Sequence, residues 1–99
     1  MSVRVELWIE GRLVGGAEQW WDDITATLRG MSRSSQCSRG VDPYIDVLFE
    51  REELTDLAAE AHRFSHQAPD HLRPFLQKLA ELCREGSRAA TSELRFLGD

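Results

Sequence analysis

Ninety-nine residues, 41% of them apolar and 29% charged, suffice for one domain with one core and leave no room for a second domain or a large enclosed active site. The net charge of −5 argues against a nucleic-acid binder, which needs a basic stripe, and against attraction to anionic lipid. It suits a basic protein partner.

The chain opens on strict alternation. Val3, Val5, Leu7 and Ile9 fall on one side of a strand, and Arg4, Glu6, Trp8 and Glu10 on the other. Glu10-Gly11 predicts a tight turn, because glycine accepts positive φ at little cost. Arg12-Leu13-Val14 then returns as a short second strand, which Gly15-Gly16 is expected to break. Ala17, Trp20, Trp21, Ile24 and Leu28 recur at helical spacing and predict a first helix, with Gly30 as its stop. Residues 32–40 are serine-rich, lack apolar periodicity and read as a flexible loop. Tyr44 to Phe49 is the next strand. Ile45, Val47 and Phe49 share one face, Tyr44, Asp46 and Leu48 the other. Apolar groups on both faces predict an interior strand covered, at least partly, on both sides.

Two helices follow. Leu54, Leu57, Ala58, Ala61 and Phe64 place one over about residues 51–66. Ala68-Pro69-Asp70 breaks it. Leu72, Phe75, Leu76, Leu79, Leu82 and Cys83 place the other over about residues 71–85, with Asp70 as its cap, Pro74 in its first turn and Gly86 as its stop. In the tail, residues 92–97, Leu94 and Phe96 alternate with Glu93 and Arg95, as in a closing strand; a short continuation of helix is the competing reading. The expected fold is a single α+β domain over residues 1–99. It is a two-layer sandwich in the order β-β-α-β-α-α-β, with a mixed or antiparallel sheet of three or four strands and the helices on one face.

No segment has the roughly 20 apolar residues of a membrane span, and Met1-Ser2-Val3-Arg4 is not the start of a secretion signal. Cys37 and Cys83 lie far apart and form no Cys-x-x-Cys pair or zinc framework. Together these point to reduced thiols in a cytoplasmic protein.

Motifs for chemistry are sparse. Gly15-Gly16 lacks the lysine of a phosphate loop, and Gly30-Met31-Ser32-Arg33-Ser34 lacks the closing glycine of a nucleophile elbow. No catalytic residue and no cofactor is expected, which argues against an enzyme. His62 and His66 stand one helical turn apart, a spacing that can chelate zinc or nickel, with His71 and Cys83 as conceivable further ligands. The glutamate of a zinc hydrolase is missing after His62, and the pair reads first as two surface histidines.

Contact residues are the better candidates. Trp8 lies on the polar face of the first strand, where an aromatic side chain can anchor an interface unless a helix or the tail covers it. Trp21 adjoins Trp20 and points about 100° away from it on a helix. Residues 42–60 carry Asp42, Asp46, Glu50, Glu52, Glu53, Asp56 and Glu60 against the single Arg51. Most of these suit a solvated helix face and a favourable helix start. They also form an acidic block that can steer a basic partner.

From residue 44 to 97, the order strand, helix, helix, strand resembles the barstar family of ribonuclease inhibitors. The resemblance implies a small acidic protein that occludes a basic enzyme site. The family's Tyr-Tyr-Gly stretch is missing here, and Trp20-Trp21-Asp22-Asp23 is at most a distant echo of it.

The expected function is a small acidic protein-interaction module, an inhibitor or immunity-type protein for a basic partner, binding neither nucleic acid nor membrane. Its expected contact residues are Trp8, Trp21, Asp46, Glu50, Glu52, Glu53 and Asp56. The alternative is a homodimer that binds a small molecule or metal, because a chain this short forms a pocket more easily between subunits than within one.

Overall fold

Alternation of the kind seen at residues 3–9 demands a one-sided sheet, and the computed structural model, which describes residues 2–20 and 47–97, contains one. Strand β1 (Ser2–Ile9) buries Val3, Val5 and Leu7 and turns Arg4, Glu6 and Trp8 to the opposite face. Glu10 (φ 52°) and Gly11 (φ 78°) both take left-handed backbone, the signature of a two-residue type I′ hairpin turn. Strand β2 (Arg12–Trp20) returns antiparallel along the whole of β1.

The length of β2 corrects two expectations. Gly15-Gly16 does not break the strand, and Ala17 to Trp20 are not helical. The physical reason is space. A Cβ on Gly15 would come within 2.9 Å of Leu82 Cδ2, and one on Gly16 within 2.8 Å of the Val5 carbonyl oxygen. Glycine within a strand marks such close approaches. The ladder to β1 then outweighs the helical spacing of Ala17 and Trp20. Leu7 pairs with Gly15 but Trp8 with Leu13, so Val14 is the extra residue of a β-bulge. The rest of the expected first helix, the serine-rich loop and Tyr44 to Asp46 lie outside the described residues.

Strand β3 (Val47–Glu50) runs directly into helix α1 (Arg51–Gln67). Helix α2 (Arg73–Arg88) and strand β4 (Ser92–Leu97) complete the described chain. The strand order is β2-β1-β4-β3, and every neighbouring pair is antiparallel. The class is α+β in two layers, as expected, and among the described residues the sheet has four antiparallel strands. Among the described residues β3 is an edge strand paired with β4, not an interior strand covered on both sides. Phe49 is buried and meets Phe96 edge-on at 5.6 Å, whereas Leu48, on the other face, is only half-buried.

Both helices lie over the face that carries Val3, Val5, Leu7, Phe49, Leu94 and Phe96. Helix α1 supplies Leu54, Leu57, Ala58 and Ala61, and α2 supplies Phe75, Leu76, Leu79, Ala80, Leu82 and Cys83. Helix α1 starts with a capping box, in which Glu53 accepts from the Glu50 amide at 3.2 Å.

The start and end of α2 differ from expectation. Leu72, not Asp70, is the N-cap residue. Leu72 is 2% exposed and packs in the core ahead of the first helical turn. Short backbone turns (Leu72 N–H to Pro69 O, Arg73 N–H to Asp70 O) lead into it, and the Asp70 carboxylate pairs with Arg73 at 3.1 Å. At the other end Gly86 is buried inside the helix instead of stopping it. A Cβ there would meet Leu54 Cδ1 at 2.5 Å and Leu7 Cδ1 at 2.9 Å, so the missing side chain lets α2 sit against α1 and β1. Three side chains satisfy the last turn: Ser92 Oγ donates to Gly86 O, Ser87 Oγ to Arg84 O and Arg51 Nε to Ala89 O.

Candidate interaction surface

The outer face of the sheet carries no helix among the described residues. Register stacks its side chains into rows across the strands. Leu13, Trp8, Glu93 and Glu50 form one row, and Gly16, Glu6, Arg95 and Leu48 the next. Glu18, Arg4 and Leu97 form a third. Trp8 and Glu50 thus share a row two strands apart, about 10 Å at the usual strand spacing.

Trp8 is half-buried on this face and held from two sides. The Arg95 guanidinium carbon lies 4.4 Å from its ring centroid, and the indole N–H donates to Glu6 Oε1 at 3.2 Å. Arg95 is itself fixed by Glu93, with Nη2 at 3.0 Å and Nε at 3.2 Å from Oε2. An Arg–Trp stack at a partly exposed site contributes about 0.5–1 kcal/mol. The result is a flat aromatic platform with its orientation fixed in advance. Arg95 of the tail strand covers one face of the ring, and the side chain stays half-buried.

Around the platform the charge is mainly negative. Glu6, Glu18, Glu50 and Glu93 stand against Arg4 and Arg95. Glu50 and Glu93 are cross-strand neighbours in register, but the Glu50 side chain accepts the Glu53 amide in the capping box of α1 and the Glu93 carboxylate is held by Arg95. Beside Trp8, the bulge and the bare Gly16 leave an open groove of about 590 Å³ between Arg4, Glu6 and Glu18, with Leu13 and Val14 at its rim. Leu13 is 53% exposed and Val14 46%.

The expected contact residues do not form one cluster. Trp8 belongs to the outer face, whereas Glu50 ends β3 with its side chain in the capping box of α1. Glu53 is partly buried and serves the start of α1. Glu52 and Asp56 are exposed one turn apart on α1, roughly opposite the buried stripe, and so look away from the sheet. Trp21 and Asp46 lie outside the described residues. Glu6 shares the face of Trp8 by period-two alternation along β1. Glu93 and Arg95 were not legible as its neighbours, because the pairing of β1 with β4 that brings them to Trp8 is non-local.

His62 and His66 are both exposed on α1, with their Nε2 atoms 3.3 Å apart. Cys83 is buried in the core, and no group of three or more His, Cys, Asp or Glu side chains is placed to hold a metal among the described residues. No helix among the described residues is long and apolar enough to cross a membrane. No protein-family model matches the chain, and neither a curated protein nor a solved structure matches it.

Proposed function

We propose that the protein is a small interaction module that binds a basic protein partner on the outer face of its sheet. The observation that supports this most is the half-exposed, pre-oriented Trp8 on a sheet face where Glu6, Glu18, Glu50 and Glu93 outnumber Arg4 and Arg95. Aromatic side chains that are already oriented give up little freedom on binding and recur as interface anchors. The excess of carboxylates on this face favours a basic partner and speeds its approach. Leu13 and Val14 add exposed apolar area at the margin. An inhibitor or immunity-type role is the finer form of this reading, supported by the acidity of the surface and by the size of the chain.

The test is affinity capture from native lysate with the wild-type chain, Trp8→Ala and Glu50→Gln, at low and moderate salt. The reading expects a basic protein on the wild-type chain, lost with Trp8→Ala and reduced with Glu50→Gln. It also expects weaker capture as salt shortens the screening length to about 10 Å at 0.1 M. Capture that is indifferent to both substitutions and to salt contradicts it.

A further inference from the structure

We infer that His62 and His66 form a two-histidine chelate for one divalent transition-metal ion on the exposed side of α1. The site is independent of the interaction surface and sits on the helical layer. Three observations carry it. First, the Nε2 atoms lie 3.3 Å apart. With zinc–nitrogen bonds of about 2.0–2.1 Å, that separation sets an angle of about 104–111° at a shared metal, which brackets the tetrahedral value zinc prefers. Second, the rings stand at 88° with centroids 4.7 Å apart, so they do not stack and both Nε2 edges approach one region of space. Third, both rings are exposed while their chain neighbours Ala61 and Ser65 are buried.

The backbone beneath the pair is firm. Ala61 and Ser65 anchor that turn of α1 in the core, and Ser65 Oγ donates to the His62 carbonyl at 2.6 Å. Arg73 Nε donates to the carbonyl of Ser65 at 3.1 Å, which ties the same turn to the start of α2. A metal therefore meets two imidazoles already held one turn apart, and the ordering cost of chelation is small. Without metal, the same distance fits an N–H of one ring donating to the other.

Imidazole selects Zn²⁺, Ni²⁺ and Cu²⁺ over Mg²⁺ and Ca²⁺, which take oxygen ligands. Among divalent ions of the first row, Cu²⁺ is held most tightly by nitrogen sites. Two protein ligands leave the remaining positions to water, so the ion is exchangeable and accessible.

The experiment is calorimetric titration of the full chain, free of any polyhistidine tag, with NiCl₂ and separately with ZnCl₂. The expected result is saturable binding of one ion per chain at micromolar metal. His62→Ala and His66→Ala should each weaken it by at least the roughly 10–100-fold that loss of a supporting ligand contact costs. His71→Ala should leave it unchanged. The decisive variant is His66→Ala combined with Gln67→His. It keeps the histidine count but moves the second ring about 140° around the helix from His62, and it should lose binding as fully as His66→Ala. All these positions are exposed, and far-UV circular dichroism should match the wild type. Wild-type protein with no saturable uptake at micromolar metal overturns the inference. So does the displaced-histidine variant binding as tightly as the wild type, or loss of binding with His71→Ala.

Discussion

Leu7 and Trp8 are neighbours in the chain and opposites in the fold. Leu7 is fully buried between β1 and the helices, beside Gly86 and Leu54. Trp8 lies half-open on the other face under Arg95. One side of the sheet is apolar, dry and roofed; the other is charged, aromatic and free of helices among the described residues. The contrast teaches that a strand with period-two alternation can divide its work by residue parity. Odd positions of β1 hold the domain together, and even positions present a surface.

Substitutions on the two faces should therefore differ in kind. Leu7→Ala removes a packed side chain from the centre of the core and should destabilise the protein by about 2–5 kcal/mol in urea denaturation. A loss below about 1 kcal/mol would show that the covered face is less tightly filled than its burial implies. Gly86→Ala comes next. Alanine favours a helix by about 1 kcal/mol over glycine, but its Cβ meets Leu54 and Leu7 in a core without slack. Overpacking costs about 1–3 kcal/mol, so a net loss of about 1 kcal/mol is expected in the same assay. A gain in stability would mean that α2 can retreat from the sheet.

Effects on the open face should be smaller. Trp8→Ala removes the stack with Arg95 and should cost about 1 kcal/mol or less, and a double-mutant cycle with Arg95→Ala should return a coupling of about 0.5–1 kcal/mol. The smallest effect is expected at Glu50. Glu50→Gln keeps an oxygen for the Glu53 amide but removes a negative charge from the start of α1, and should destabilise by a few tenths of a kcal/mol, the low end of a charge–dipole interaction at an exposed helix terminus. That loss should vanish near 1 M salt, where the screening length falls to about 3 Å.

The sequence was readable wherever the signal was local. The first and last strands follow from period-two alternation at residues 3–9 and 93–96, and both helices from apolar stripes that end up buried. The two-residue turn was visible in Glu10-Gly11. Glycine misled three times, and each time for one reason. At Gly15, Gly16 and Gly86 it makes room for a neighbour distant in sequence, and no local pattern separates that use from a break or a stop. Capping at Asp70 failed because residues 69–73 first make short backbone turns and the Asp70 carboxylate pairs with Arg73. Trp8 was legible as a candidate from its position in the pattern. Its companions Arg95 and Glu93 were not, because they reach it only through the pairing of β1 with β4.

The most direct test of the division between faces is site-specific photocrosslinking to the captured partner. A photoreactive amino acid replaces Leu13, which flanks Trp8 on the outer face, and in a parallel sample Glu52, on the outward side of α1. Crosslinks to a basic protein from position 13 and none from position 52 are the predicted result. Crosslinks from position 52 alone would move the docking surface to the helical layer and contradict the account.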